Sequence, residues 1–485
     1  MEITSLKYFI FIILSVIFYV FVAKKIRFVF LILISVIFYS AFGLYNALIF
    51  YSVIIVTYFF SLLISNNNLK NRLLYLWLSI LFLSSILLFF KFGNFIFISS
   101  NFFFPIGLSF LIFKSISYEI EIYRKNNKFN NTLFNCTFYL SFFPAIRSGP
   151  IDKPNDLIQQ IQNINKFDSN NISSGSKLII WGIFKKLVIA DRLAFFVNNV
   201  FDNPHNFKGL PLVIATILFS LQIFYDFSAY TDIALGTAQL FGIKLINNFD
   251  RPYFSKSISD FWRRWHISLS VWLRDYLFLP LAYLSTKKIN KFKISQNKKN
   301  IIVYTFSIFI TMIIAGLWHG NTINFIIWGG IFAFYLSFSI ITKKLRVKAI
   351  NLTGINKLTN IYNTFRILIT FCLIAFAWIF FRAYNIENAF YIINNLFSGF
   401  LNFNHYVINL TTIYNGIVEF DNPGAELLIA IFFVIISEII QYKFKSVNEL
   451  SKYPILIRWS VNYFVIFSIL LFSISKVKNF IYYNF

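Results

Sequence analysis

Cysteine and acidic residues are scarce in this sequence, and polar stretches long enough to fold by themselves are missing. Only two cysteines occur, Cys136 and Cys372, far apart and each in an apolar setting. Nothing therefore suggests a disulfide framework or a Cys-rich metal site, and the redox compartment stays open. Aspartate and glutamate number 19 against 44 lysines and arginines, a formal net charge of +25. The chain has no phosphate-cradling Gly-rich loop, no Gly-x-Ser-x-Gly elbow and no His-Glu-x-x-His, which removes the commonest nucleotide, serine-hydrolase and zinc-protease readings. With four histidines in all, none sharing a helical turn with another, a metal centre is not expected. No internal repeat is visible, which counts against a transporter built from paired halves.

What is present is apolar surface. Hydrophobic residues make up 58% of the 485 residues and charged residues 13%, with a mean hydropathy of +0.67. This exceeds what a soluble core needs, and the bilayer is the expected solvent. Apolar runs recur at 8–22, 28–64 (broken near Gly43), 73–90, 211–225, 301–318, 322–341, 367–381, 425–440 and 459–473. Lys24 and Lys25 after the first run, and the second run close behind, mark it as a retained span and not a cleaved signal. The expected fold is an all-α, multi-pass membrane protein of about 10–12 transmembrane or re-entrant helices, allowing roughly 20 residues per crossing. It is read as one domain over 1–485, with 226–330 as its catalytic core segment. The longest polar segments are 124–131, 152–177, 285–300 and 342–360, of which 152–177 is expected to hold short surface helices and the others to be loops.

Positive charge sits mainly between apolar runs, where it marks the cytoplasmic side, so nucleic acid is not the expected partner. Thr286 to Asn300 holds six lysines and no acidic residue, and Lys343, Lys344, Arg346 and Lys348 form a second cluster. With both clusters cytoplasmic, 301–341 must cross an even number of times, turning at Trp318-His319-Gly320-Asn321. His319 then lies near the face opposite the lysines, or deep inside if the hairpin is re-entrant. Gly316, Gly320, Ala315 and Thr322 surround it with small side chains, an arrangement expected to leave room for a substrate. An ionisable group at membrane depth usually faces an internal cavity, and histidine suits proton transfer near neutral pH; the bland alternative is an interfacial histidine bonded to a carbonyl.

A second constellation runs from Phe261 to Tyr276. At 3.6 residues per turn, Trp262, Trp265, Leu269, Trp272 and Tyr276 form an aromatic strip beside Arg263, Ser270 and Arg274, predicting an amphipathic interfacial helix with His266 at the border. A third, Tyr225 to Asp232, follows an apolar run. Its Asp226 needs a buried partner, for which Arg251, Arg263 and Arg264 are the candidates nearby in sequence. Proline turns at Phe104-Pro105-Ile106-Gly107 and from Phe143-Pro144 to Gly149-Pro150 read as cavity architecture. His205 and His405 stand in polar surroundings with no expected chemistry.

At these residues the chain resembles the membrane-bound O-acyltransferase family, in its bacterial alginate and peptidoglycan O-acetyltransferase branch. The resemblance rests on Phe104–Phe110, Phe142–Ile151, Asp226–Gly242, Asn248–Pro280, Gly316-Leu317-Trp318-His319-Gly320, Ala377-Trp378-Ile379-Phe380-Phe381-Arg382-Ala383 and the aromatic tail Asn479–Phe485. It departs from the family's wording at Asn321-Thr322-Ile323-Asn324. The resemblance implies a catalytic His319 and a second functional position at His266. Substrate contacts are expected from Trp262, Arg263, Trp318, Asn321 and Asp226.

The resemblance also implies a multi-pass protein of the bacterial inner membrane. Its donor would be acetyl-coenzyme A on the cytoplasmic side, with no bound cofactor. Its acceptor would be an extracytoplasmic polysaccharide, alginate-like or peptidoglycan, reached directly or through a periplasmic partner protein. On this reading His319 is the base, and His266 or nearby Trp and Asn groups position the thioester or its oxygen. D-alanyl transfer to teichoic acid is the alternative enzyme. A flippase or transporter without bond chemistry, and a scaffold for a polymer-making machine, are the alternatives of other classes.

Overall fold

Burial is inverted relative to a water-soluble protein. Leu81, Leu88, Phe334, Leu470 and Leu471 point outward while Lys114, Glu119, Lys186, Asp226 and His319 are buried, as expected where lipid covers the apolar faces and polar groups are gathered inside. The computed structural model describes residues 3–66, 69–96, 104–162, 168–354, 357–398, 423–444, 452–473 and 481. His405 and, apart from Ile481, the tail 479–485 lie outside the described residues.

Among the described residues the architecture is helical, apart from one isolated bridge between Phe249 and Trp265. The helices are α1 (Leu6–Phe21), α2 (Arg27–Ser40), α3 (Leu44–Asn66), α4 (Leu69–Ile96), α5 (Leu108–Tyr123), α6 (Leu133–Ser141), α7 (Pro154–Gln162), α8 (Ser169–Phe184), α9 (Asp191–Asp202) and α10 (Leu210–Leu240). There follow α11 (Ile258–Trp262), α12 (Ile267–Leu273), α13 (Leu279–Ile289), α14 (Gln296–His319), α15 (Ile323–Ile341), α16 (Lys343–Thr353), α17 (Thr359–Arg382), α18 (Ile386–Asn395), α19 (Pro423–Phe444) and α20 (Ile455–Phe472). Among the described residues eight helices are long and apolar enough to cross a bilayer, namely α3, α4, α10, α14, α15, α17, α19 and α20. The chain is thus an all-α multi-pass membrane protein. α1, with 16 residues, reaches about 24 Å at 1.5 Å per residue, short of a full hydrocarbon crossing.

The turn expected near Gly43 is present, and Gly43 adopts φ +104° between α2 and α3. The segment 342–360 differs from expectation. Much of it is helix α16, because Lys, Leu, Arg and Ala are good helix formers and nothing in Lys343–Thr353 breaks the turn.

Two compact units are distinguished, the first formed by 1–187, 226–247 and 438–485, the second by 188–225 and 248–437. In the first, α5 is buried along nearly its whole length, and its Glu119 accepts a hydrogen bond from Ser79 at 2.7 Å. Arg72 caps the carbonyls of Ile64, Ile122 and Tyr123. Asp226 and Asp232 stand in the middle of α10, where the expected arginine partners are replaced by lysines. Lys186 meets Asp226 at 2.8 Å and Lys185 meets Asp232 at 2.5 Å. Both lysines occupy a π-helical turn, Lys185–Ala190, whose extra residue per turn re-aims the side chains.

In the second unit α14 and α15 form the hairpin expected from the charge pattern, entering from the lysine-rich segment and returning to α16. A Cβ added at Gly316 would stand 2.2 Å from the Phe325 carbonyl oxygen, and one at Gly329 2.2 Å from that of Met312. The two backbones therefore touch, the small-residue packing typical of membrane helices.

Candidate functional site

His319 is the last residue of α14 and is 2% exposed. Its imidazole stands edge-on to three aromatic rings. Trp318 lies at 4.9 Å between centroids, Trp328 at 5.1 Å and Phe381 at 5.3 Å. Trp328 comes from α15 and Phe381 from α17, so three helices close the box. Asn324 fastens α15 to the end of α17 through its Nδ2, which donates to the Ala383 carbonyl at 2.9 Å.

The glycines beside His319 do not make the room expected of them. The space next to Gly320 is taken by the Phe325 ring, 2.1 Å from where a Cβ would sit, and Gly316 is filled by backbone. They serve helix contact, and the surroundings of the imidazole are aromatic. Asn321 stands exposed in the turn between α14 and α15.

The amphipathic helix expected through Phe261–Tyr276 is broken. α11 stops at Trp262, α12 starts at Ile267, and His266 between them has φ 42° and ψ 55°, in the left-handed region. The cause is pairing with a segment remote in sequence. The Asp250 amide donates to the Arg264 carbonyl at 3.0 Å and the Ile267 amide to the Asn248 carbonyl at 3.0 Å, while the Asn248 side chain accepts from the Ser268 amide at 3.1 Å. These bonds fold the chain back and offset the roughly 1–2 kcal/mol that a left-handed non-glycine residue costs. Trp265 is clamped from several sides, by Phe249 at 5.1 Å, Phe261 at 5.5 Å and Trp378 at 5.1 Å.

His266 is 1% exposed. Burial pushes its pKa down from 6.5 to about 3, against a smaller opposing effect of a backbone hydrogen bond, because a desolvated imidazolium is costly. At neutral pH it is an uncharged imidazole, able to donate from one nitrogen and accept at the other. The Trp318 ring is 6.3 Å from that of His266 and 4.9 Å from that of His319, so one indole neighbours both histidines.

Trp262 and Arg263 line a cavity of about 300 Å³ together with Ser270, Arg274, Tyr304 and Thr311. Its remaining wall is mostly aliphatic. On α14 the cavity spans Tyr304 to Met312, on the lysine-rich side of His319. Arg274 is engaged by Asp275 at 2.7 Å. Asp226, by contrast, belongs to the first unit. There one carboxylate oxygen meets Lys186 and the other accepts from the Ile481 amide at 2.7 Å, which is the geometry of a structural clamp. Of the residues named from sequence, His319, His266, Trp318, Trp262 and Arg263 thus share the second unit's interior or its cavity.

Trp328, Phe381 and Asn324 carry no local sequence pattern that marks them as site residues. Trp378 and Phe381 do fall inside the segment 377–383 that carries the family resemblance. For Trp328 the available signal is a tryptophan placed well inside an apolar run, away from the interfacial belt where that residue usually collects.

Residues 131–384 match MBOAT, the membrane-bound O-acyltransferase family. The chain is 34% identical over 293 residues to a "probable alginate O-acetylase AlgI" of Pseudomonas fluorescens, covering 60% of this chain and 54% of that protein. It is 30% identical over 392 residues to the protein of the same description in Pseudomonas aeruginosa, covering 77% and 70%. With a peptidoglycan O-acetyltransferase of Helicobacter pylori it shares 31% over 315 residues, covering 59% and 55%. Teichoic acid D-alanyltransferases are similar over 46% of this chain. The chain spans about half the length of most of these relatives.

Proposed function

The chain belongs to the membrane-bound O-acyltransferase family, and from that premise we propose that it transfers an acyl group, acetyl first among the candidates, from a thioester to hydroxyls of a cell-surface polysaccharide. The observation that carries the reading is His319, a buried imidazole at the end of α14 remote from the basic segments, inside the family's matched region. Transfer to a hydroxyl needs a base for its proton, and a positioned imidazole is well matched to that task. A thioester is already activated, so the remaining demands are orientation and charge stabilisation.

Acetyl-coenzyme A is the proposed donor, entering from the side of Thr286–Asn300 and Lys343–Lys348, whose positive field attracts its phosphates. By the positive-inside rule that side is cytoplasmic. The cavity lined by Trp262 and Arg263 is the proposed berth for its arm, and Thr311 on that cavity wall is eight residues before His319 in α14, about 12 Å along the axis. Neutral His266 is proposed to orient the thioester or its oxygen. The acceptor, alginate-like or peptidoglycan, is proposed to lie outside the inner membrane of a bacterium and to be reached directly or through a periplasmic partner. The alginate and peptidoglycan acetylation named for the Pseudomonas and Helicobacter relatives supports this choice of acceptor.

The test is His319→Ala, with O-acetyl ester on surface polymer measured at equal protein level in the membrane. Loss of ester is expected; unchanged ester overturns the assignment. The similarity to teichoic acid D-alanyltransferases favours D-alanyl as the second reading. Purified protein offered labelled acetyl-coenzyme A and a labelled D-alanyl thioester discriminates the two, and net movement of either thioester across vesicles without bond exchange would instead mark a transporter.

A further inference from the structure

Three indoles in the second unit bury their N–H groups, at Trp262, Trp328 and Trp378, and among the described residues none of these nitrogens meets an acceptor. Buried tryptophans usually find a partner for that hydrogen, and a buried donor left without one is a departure that calls for a reason. Phenylalanine would supply the same packing without the penalty. Of the three, Trp328 is 1% exposed and is the one in ring contact with His319, at 5.1 Å and an interplanar angle of 84°. Its ring is fixed on several sides. Trp378 lies nearly parallel to it at 6.0 Å, Phe332 is at 5.3 Å, Phe381 at 5.4 Å and Trp262 at 5.9 Å.

Resting on the acyl-transfer reading, the geometry points to Trp328 as a catalytic residue whose indole N–H receives the oxyanion. The acceptor hydroxyl gives its proton to His319 as its oxygen bonds to the thioester carbonyl carbon. The carbonyl π electrons move onto oxygen, and Trp328 Nε1–H donates to that charge. Collapse restores the carbonyl and breaks the carbon–sulfur bond; the thiolate leaves and takes the proton from the His319 imidazolium. A donor held rigid in a dry site needs no reorganisation when charge develops, which is the condition under which such a bond contributes most. Among the described residues the same N–H has no matching acceptor, which leaves it available for charge that develops in the transition state.

The test compares Trp328→Phe with wild type, using purified full-length protein, labelled acetyl-coenzyme A and a methyl glycoside acceptor. The expected result is a kcat lowered about 10²–10³-fold, the range for loss of one oxyanion donor, with KM for the donor changed less than about threefold. Two probes separate this from a packing role. The acetonyl ketone analogue of acetyl-coenzyme A should bind both proteins alike, while a methylphosphonate ester of the glycoside, carrying anionic tetrahedral oxygens, should bind the variant at least about 30-fold more weakly. Equal weakening of both probes, or equal phosphonate binding by the two proteins, overturns the inference. His319→Ala is run alongside. If it is inactive while Trp328→Phe keeps full kcat, Trp328 is misassigned and the acyltransfer reading stands; if His319→Ala is active, that reading itself fails.

Discussion

Gly316 of α14 lies against the Phe325 carbonyl of α15 so closely that a single added carbon would sit 2.2 Å from that oxygen. The hairpin that presents His319 is therefore set by backbone contact. Gly316→Ala should push the helices apart and lower stability by about 1–3 kcal/mol, the usual cost of overpacking. Thermal unfolding in detergent reads this directly. Gly330, where an added Cβ would stand 3.9 Å from the Ile313 side chain, is the control, and its alanine variant should unfold within a degree or two of wild type. Equal melting of the two variants would refute the contact.

Much of the hairpin is legible in sequence because lysine-rich segments flank two apolar runs with a glycine-containing turn between them. Charge alone then places the turn. The break at His266 is not legible in this way. Trp262, Trp265, Leu269, Trp272 and Tyr276 satisfy a helical repeat, and only pairing of 264–267 with 248–250 overrides it. Nor is the pairing of Lys185 with Asp232 and Lys186 with Asp226 legible in sequence, for a related reason. The lysines precede those aspartates by forty residues or more, and a π-helical turn aims them, whereas Arg251, Arg263 and Arg264 are nearer in sequence alone. Trp328 lies on the opposite arm of the hairpin from His319, where no periodicity within one helix reaches.

Topology can be read chemically. Asn321 is exposed in the α14–α15 turn, whereas Gly320 has no space for a side chain, so Asn321→Cys is the probe. A membrane-impermeant maleimide added outside intact cells should label it, while Ser295→Cys at the start of α14 should label only after the membrane is opened. Labelling of Asn321→Cys only after opening would reverse the orientation of the hairpin and of the proposed donor side.

His266 makes stability depend on acid. Its pKa is near 6.5 in the unfolded chain and about 3 when folded, so between those values the unfolded state binds more protons. Stability from this group is intact above pH 6.5 and falls as pH drops toward 3, by up to about 1.4 kcal/mol per unit. His266→Asn removes the titration while tolerating the left-handed backbone better than most other non-glycine residues. The variant should show a shallower loss of unfolding midpoint between pH 6.5 and 4.5. An unchanged slope would mean that the imidazole is not buried in its neutral form.

Asp226 and Lys186 are both buried and 2.8 Å apart. Removing one partner leaves the other charge stranded, so Lys186→Met or Asp226→Asn should cost about 3–5 kcal/mol, whereas a double replacement by apolar residues of similar volume should recover most of it. Folded yield and unfolding midpoint measure the three variants. Recovery in the double variant, with transferase activity following the recovered protein, identifies the pair as structural. A double variant that is folded but inactive would return Asp226 to the substrate-binding role expected from sequence.

Arg263 should act on donor binding and not on the chemical step. It lines the cavity beside Trp262, while the other guanidinium there, Arg274, is taken up by Asp275. An anionic arm in that cavity would be met by Arg263, and a charge-assisted hydrogen bond contributes about 1.5–3 kcal/mol, reduced here because Arg263 is exposed to solvent. Arg263→Ala is therefore expected to raise KM for acetyl-coenzyme A by roughly 5–20-fold at nearly constant kcat. Arg263→Lys, keeping charge without the planar fork, should fall between. The wild-type KM should rise with ionic strength, and that dependence should flatten in Arg263→Ala, since screening acts on the charge the variant lacks. A variant with unchanged KM and lowered kcat would remove Arg263 from the donor berth and place its influence on the neighbouring His266 segment.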